Sequence, residues 1–143
     1  TRLSSDLLNY FLAPVQSKPG AFTSTLRIVT PILIIPNADN APLVCNRMPR
    51  VIEGLLAYFS QRPAPVKRNL HLDTEALDAQ SKIMAAHANR ALGANVVSAV
   101  FILEGGKAMS TGAAARFPGA SSNACGAIME ENDKKMKAAQ QPK

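Results

Sequence analysis

Hydrophobic and polar positions along the chain alternate in a way that predicts a small sheet. In residues 22–35, apolar and polar residues alternate up to Ile28, and the sequence is continuously apolar after Pro31. This pattern predicts a strand. Because Pro31 cannot donate a backbone hydrogen bond, we expect it at a sheet edge, at a bulge or between two shorter strands. Residues 96–103 are apolar on both faces, as in a buried strand.

Two amphipathic helices are expected between these strands. Residues 48–59 place apolar side chains at i, i+3, i+4 and i+7. Pro49 fits the first turn if Asn46 is the N-cap, whereas it must kink a helix that starts at Asn40. A second helix is expected over residues 73–92, with Asp73 or Thr74 as N-cap and Gly93 after its end. A basic, Pro-rich link joins the two helices.

The inward positions of these elements predict the hydrophobic core. The expected core residues are Leu26, Ile28, Ile52, Leu55, Phe59, Leu77, Ile83, Val100 and Ile102. The predicted fold class is therefore α+β, a small sheet packed against two amphipathic helices, with extensions at both termini.

The two terminal segments lie outside this predicted domain of residues 22–104. In residues 1–21, apolar side chains from Leu3 to Leu12 have helical spacing, which predicts a short helix ended by Pro14. This helix would pack on the domain's own surface or be the juxtamembrane remnant of a truncated anchor. Residues 105–143 form a Gly/Ala-rich extension, in which residues 124–139 predict a last helix with acids at its start and bases at its end.

Composition narrows the partner classes. A chain of 143 residues is long enough for one core, and a net charge of +6 admits nucleic acid, anionic lipid or an acidic protein as partner. The basic residues are scattered, except for a cluster near the C-terminus that follows acidic residues. Without a basic stripe or an aromatic stacking platform, we do not expect nucleic-acid binding.

Candidate catalytic groups are sparse, so we do not expect an enzyme or a cofactor or metal site. His71 and His87 lie apart from any convergent set of polar side chains, and the Gly-bearing segment at residues 105–112 lacks phosphate-loop spacing. The competing class is a small hydrolase or transferase that uses Cys45 or His87. No apolar run reaches the roughly 18 residues that a membrane-spanning helix needs.

The two cysteines, Cys45 and Cys125, are far apart and belong to no CxxC or Cys/His pattern. Two alternatives remain open from the sequence. They are either two free buried thiols or one long-range disulfide formed in an oxidising compartment.

Residues 46–60, with the sequence NRMPRVIEGLLAYFS, resemble the helix of the periplasmic domain of the flagellar basal-body FliL family, in which Met-Pro precedes an amphipathic run. Residues 77–103, with a helix, Gly93 and a Phe-containing final strand, are similar to the C-terminal half of that domain. The family begins with a Pro-containing strand, to which residues 10–16 would correspond in place of the opening helix.

The resemblance implies an α+β domain of the stomatin-like (SPFH) type, held in the periplasm at the inner membrane directly or through partners. It further implies non-catalytic assembly around the stator units of the flagellar motor, as a homo-oligomer or a subunit of a larger, membrane-proximal assembly. The chain departs from the family in extending well beyond the final strand. An accessory subunit of another membrane complex is therefore the alternative.

Candidate interface residues follow from this expected role in assembly. On the first main helix, Arg47, Arg50 and Gly54 are expected on the side away from the apolar stripe. The apolar residues Leu7, Leu8 and Phe11 and the C-terminal extension are not needed for the predicted core. We therefore expect that deleting residues 1–13 or 105–143 weakens association but leaves the domain folded.

Overall fold

The computed structural model describes residues 10–105 and 124–140 of the chain. Three strands form one antiparallel sheet in the order β1-β2-β3. They are β1 (Phe11–Gln16), β2 (Ser24–Ile34) and β3 (Ala99–Glu104). The helices are α1 (Ala41–Asn46), α2 (Met48–Gln61), α3 (Thr74–Asp78), α4 (Ser81–Leu92) and α5 (Ala124–Gln140), and a 3-10 turn precedes α1. The predicted α+β fold class is confirmed.

Strand β2 is the centre of the sheet, and its two halves have different neighbours. Its first half pairs with β1 from Ser24 to Val29, and its second half pairs with β3 from Val29 to Ile34. The outer strands therefore overlap only at Val29. Beyond that residue, the β1 side of β2 is a sheet edge as far as the described part of the chain is concerned.

This arrangement explains how the sheet accommodates two prolines. Ile28 O accepts a hydrogen bond from Gly105 N, so by alternation the nitrogen of Pro31 faces the side that β1 has left. Pro14, in β1, accepts a hydrogen bond from Ala64 N at the outer edge, so its nitrogen also faces away from β2. Neither proline removes a hydrogen bond between paired strands. Of the three positions expected for Pro31, which were an edge, a bulge or the junction of two shorter strands, the structure has the edge.

The N-terminal helix expected from the spacing of apolar residues is wrong over residues 11–13, and its earlier residues 3–9 lie outside the described part of the chain. Residues 11–16 form β1, in agreement with the alternative of a first strand at residues 10–16. Phe11 and Ala13 are buried against the core, whereas Leu12 between them is exposed. Pairing with β2 on one edge and with Ala64 on the other stabilises the extended form. A deletion of residues 1–13 would remove half of this strand, so the expectation that the domain stays folded conflicts with the structure.

The helices cover one face of the sheet, and α2 packs closely against α4. A Cβ atom placed on Gly54 would lie 3.2 Å from Ala91 Cβ and 3.3 Å from His87 O. Pro49 lies in the first turn of α2, whose N-cap is Arg47, and α4 ends at Gly93 in the left-handed conformation with φ 73°. The terminal helix predicted over residues 124–139 is present as α5.

Of the nine predicted core residues, five are correct, one is partly correct and three are wrong. Five of the predicted residues are buried, and these are Leu55, Phe59, Leu77, Val100 and Ile102. Ile52 is partly buried against the core. Leu26, Ile28 and Ile83 are instead 63%, 44% and 48% exposed. The β2 register points the first two away from the helices, and α4 turns Met84 and Ala88 inward rather than Ile83.

The single helix expected over residues 73–92 is two helices in the structure, α3 and α4. Asp73 caps α3, because its Oδ1 accepts a hydrogen bond from Ala76 N at 3.2 Å. At the break, Gln80 N donates to Leu77 O three residues back, and the Gln80 side chain accepts a hydrogen bond from the Tyr58 hydroxyl of α2. The local sequence pattern does not show this contact with another helix, and it therefore predicts one continuous helix.

Candidate interaction surface

An apolar surface covers part of the sheet face opposite the helices. Directly paired residues of an antiparallel sheet share a face, and Leu12 pairs with Ile28 while Pro14 pairs with Leu26. Leu12 is 53% exposed, and Leu26 and Ile28 are exposed as given above. Tyr10, just before β1, is 54% exposed. We call Tyr10, Leu12, Pro14, Leu26 and Ile28 the outer sheet face.

This exposed surface is confined to the β1 half of the sheet. Further along β2, Thr30 and Ile32 also point away from the helices, but both are fully buried. The Thr30 hydroxyl donates to Gly105 O at 2.7 Å, which satisfies the buried polar group. The exposed apolar residues therefore lie towards the turn that joins β1 and β2.

That turn carries the most exposed apolar side chain of the described residues. Ala21 N donates to Lys18 O, and the turn has Pro19 and Gly20 at its centre, with Gly20 at φ 75°. Pro followed by a residue with positive φ is the combination that a type II turn favours. Phe22, immediately after the turn, is 101% exposed.

A second short hairpin lies beside the first, and it contains a strained residue. Val66 and Leu72 form a bridge, and Leu70 N donates to Lys67 O across the turn. Leu70 adopts φ 67°, a left-handed conformation that is uncommon for a residue other than glycine. Its side chain is 51% exposed. We call residues 17–23 and 66–72 together the hairpin end.

Arg27 links the two hairpins through polar contacts. Its Nη1 donates to Leu70 O at 2.6 Å, and its guanidinium forms an ion pair with Glu104 at the end of β3. His71 Nδ1 lies 3.1 Å from Glu104 Oε1. The charge of Arg27 is therefore balanced within the fold, whereas Lys18, Lys67 and Arg68 of the hairpin end are exposed.

Cys45 and Cys125 form a disulfide that joins α1 to α5, with their Cα atoms 5.4 Å apart. In this form the Cys45 sulfur is not available as a thiolate nucleophile. His87, the other residue of the competing enzyme hypothesis, packs its ring against Tyr58 with centroids 4.9 Å apart. The structure does not bring these two residues into a catalytic pair.

Three of the four predicted interface residues that the structure describes are used inside the fold. Phe11 is only 9% exposed, Gly54 faces α4, and Arg47 Nη1 donates to Leu92 O at 2.6 Å, at the C-terminal end of α4. Arg50 is exposed and remains available for contact. Leu7 and Leu8 lie outside the described residues.

The outer sheet face was not among the sequence-predicted sites, although its signal is present. The alternation of Phe22, Leu26 and Ile28 indicates an amphipathic strand, but alternation alone does not say which set points inward. The sequence analysis therefore predicts Leu26 and Ile28 as core residues. In the structure these two side chains are exposed and belong to the outer sheet face.

Within residues 10–105 and 124–140, no three His, Cys, Asp or Glu side chains are grouped so that they could bind a metal ion. Among the helices of this part of the chain, none has both the length and the apolar character required to cross a bilayer. The chain matches no protein-family model, no curated protein and no solved structure.

Proposed function

We propose that this chain is a non-catalytic, FliL-like protein-binding domain, located in the periplasm and assembling with a membrane-embedded complex such as the flagellar stator units. The observation that supports this proposal is the exposed outer sheet face. Contiguous apolar patches on a soluble domain are typically sites of protein or membrane contact. The outer sheet face contains no charged residue, as is usual for the centre of a protein interface.

The partner that best fits the outer sheet face is a second copy of this chain. An uncharged face can meet an identical face without opposing like charges, whereas most other surfaces of a protein with net charge +6 would repel their copies. Two-fold contacts that use the same patch on both subunits are the commonest way in which soluble proteins assemble. We therefore assign the outer sheet face to self-association within the larger complex.

Light scattering on the purified chain over a range of concentrations tests this assignment. Leu26→Lys places a charge in the centre of the outer sheet face, and Ile83→Lys is the matched control, since Ile83 is a similarly exposed apolar residue of α4. We expect the parent chain and the Ile83→Lys variant to assemble and the Leu26→Lys variant to stay monomeric. A monomeric parent chain, or an unchanged Leu26→Lys assembly, would contradict the assignment.

The flagellar part of the proposal requires a separate experiment in the source cells. We expect stator subunits to co-purify from solubilised membranes with the parent chain and with Ile83→Lys, and to be lost with Leu26→Lys. Recovery of a different membrane complex with the same dependence on Leu26 would exclude the stator assignment and favour the accessory-subunit alternative.

A further inference from the structure

We propose that the hairpin end docks on the surface of an anionic lipid bilayer, with Phe22 and Leu70 entering the headgroup region and the neighbouring basic residues contacting lipid phosphates. This site is distinct from the outer sheet face, and the proposal does not rest on the protein-binding role. Exposed apolar side chains among basic residues are the combination that interfacial membrane binding uses.

Phe22 is held in a position where none of the described residues covers it. Its turn is fixed on both sides, because Ser17 N donates to Thr23 O at 3.0 Å and Gly20 N donates to the Gln16 side chain. The protrusion is therefore a feature of the folded hairpin. A fully exposed aromatic side chain is able to penetrate a soft surface such as the headgroup region of a bilayer.

Leu70 repeats this pattern on the second hairpin, at a conformational cost. A non-glycine residue with φ 67° is strained, and Leu has no short polar group with which to compensate locally. Its backbone is nevertheless held in place by the hydrogen bond from Arg27 to Leu70 O. A strained residue whose apolar side chain is half exposed points to a role outside the fold.

The charge around these two side chains favours an anionic surface. No Asp or Glu occurs in residues 17–23 or 62–72, and these segments contain Lys18, Arg62, Lys67 and Arg68. Of the acids beside these segments, Glu104 is already paired with Arg27 and contacted by His71, and Asp73 uses its carboxylate to cap α3. Each Lys or Arg close to an anionic membrane contributes roughly fivefold to binding, so four of them form a substantial attraction.

Sedimentation with lipid vesicles tests the proposal without any protein partner. Vesicles of phosphatidylcholine containing phosphatidylglycerol are compared with vesicles of pure phosphatidylcholine. We expect the chain to bind only the anionic vesicles and to dissociate as the salt concentration rises. Binding to both kinds of vesicle equally, or to neither, would overturn the proposal. Because the light-scattering test of self-association contains no lipid, the two proposals can fail independently.

Matched variants locate the binding site. Lys67→Glu with Arg68→Glu should lower the partition coefficient at least about tenfold, whereas the same charge change on α4, Lys82→Glu with Arg90→Glu, should leave it close to that of the parent chain. Phe22→Ser should lower it by about tenfold, and Ile83→Ser should not. Equal losses in the α4 controls would assign the binding to net charge alone and refute the site.

Leu70→Gly separates membrane contact from folding. Glycine adopts the left-handed conformation without strain, so the melting temperature of this variant should stay equal or rise. Its binding to anionic vesicles should nevertheless fall several-fold, because the apolar side chain has been removed. A variant that binds as tightly as the parent chain would show that Leu70 does not enter the bilayer and would overturn that part of the proposal.

Discussion

At the scale of single residues, Asn89 of α4 connects the helical layer to the sheet. Its Oδ1 accepts hydrogen bonds from Val96 N at 3.0 Å and Val97 N at 2.8 Å. Its Nδ2 donates to Val97 O at 2.8 Å and to the Asn95 side chain. One side chain thus satisfies three backbone groups of the segment that leads into β3. A buried strand is predicted from residue 96, but β3 begins only at residue 99 because residues 96 and 97 bond to Asn89 instead.

The first prediction concerns this amide. Asn89→Ala leaves three backbone groups of residues 96 and 97 without a protein partner, and we expect the free energy of unfolding to fall by about 2 to 3 kcal/mol. Asn89→Asp keeps an acceptor for the two N–H groups but loses the donor. Its free energy of unfolding should therefore lie between those of the parent chain and Asn89→Ala. Urea unfolding gives these values.

Asn95→Ala is the control, since it removes only the bond between the two side chains. It should cost no more than about 1 kcal/mol. If Asn89→Ala were no more destabilising than Asn95→Ala, the role assigned to Asn89 would be incorrect.

At the scale of elements, the close contact of α2 and α4 depends on the missing side chain of Gly54. The atoms that a Cβ would meet are Ala91 Cβ and His87 O, so a backbone atom lies on the approach. Backbone cannot rotate aside as a flexible side chain can. The two helices must therefore separate if this position becomes larger.

The second prediction follows from that geometry. Gly54→Ile should lower the free energy of unfolding by about 1 to 3 kcal/mol, because the added atoms overpack the α2–α4 contact. Ala57→Ile, at an exposed position of the same helix, should change it by only a few tenths of a kcal/mol. Thermal unfolding of the two variants decides the matter, and equal stability would mean that α2 and α4 do not pack at Gly54.

Some elements were predictable from the sequence, and others depended on distant contacts. Helix α2 was predicted because its 3.6-residue period and Pro49 agree with one another. The sequence did not predict which side chains of β2 point towards the helices. Arg27 is on that side of the sheet, where a charged residue is unexpected. Its partners Leu70 and Glu104 are 43 and 77 residues away in the sequence. The outer sheet face could not be predicted for the same reason. Because the distant partners hold Arg27 on the helix side of the sheet, the alternating residues Leu26 and Ile28 point to the opposite side.

At the scale of the whole molecule, the disulfide joins two regions that are 80 residues apart in the chain. Cys125 lies near the start of α5 and packs against the core, whereas residues 133–139 of the same helix are all exposed. Seven consecutive exposed residues cover every side of a helix. The first turns of α5 are therefore the part held to α1, and the disulfide is the covalent element of that attachment.

The last prediction concerns the redox state that this arrangement requires. A cross-link that closes a loop of 80 residues stabilises the folded state by about 4 kcal/mol on the chain-entropy model. We therefore expect a thiol reductant to lower the midpoint of urea unfolding of the parent chain. The double variant Cys45→Ser with Cys125→Ser should have that lower midpoint from the start and should not respond to reductant.

A disulfide such as Cys45–Cys125 persists in an oxidising compartment such as the periplasm. The natively isolated protein, denatured without reductant, should accordingly show no reactive thiol, and both should appear after reduction. Two thiols that react before reduction would place the chain in a reducing compartment and would refute the periplasmic assignment together with this account of α5.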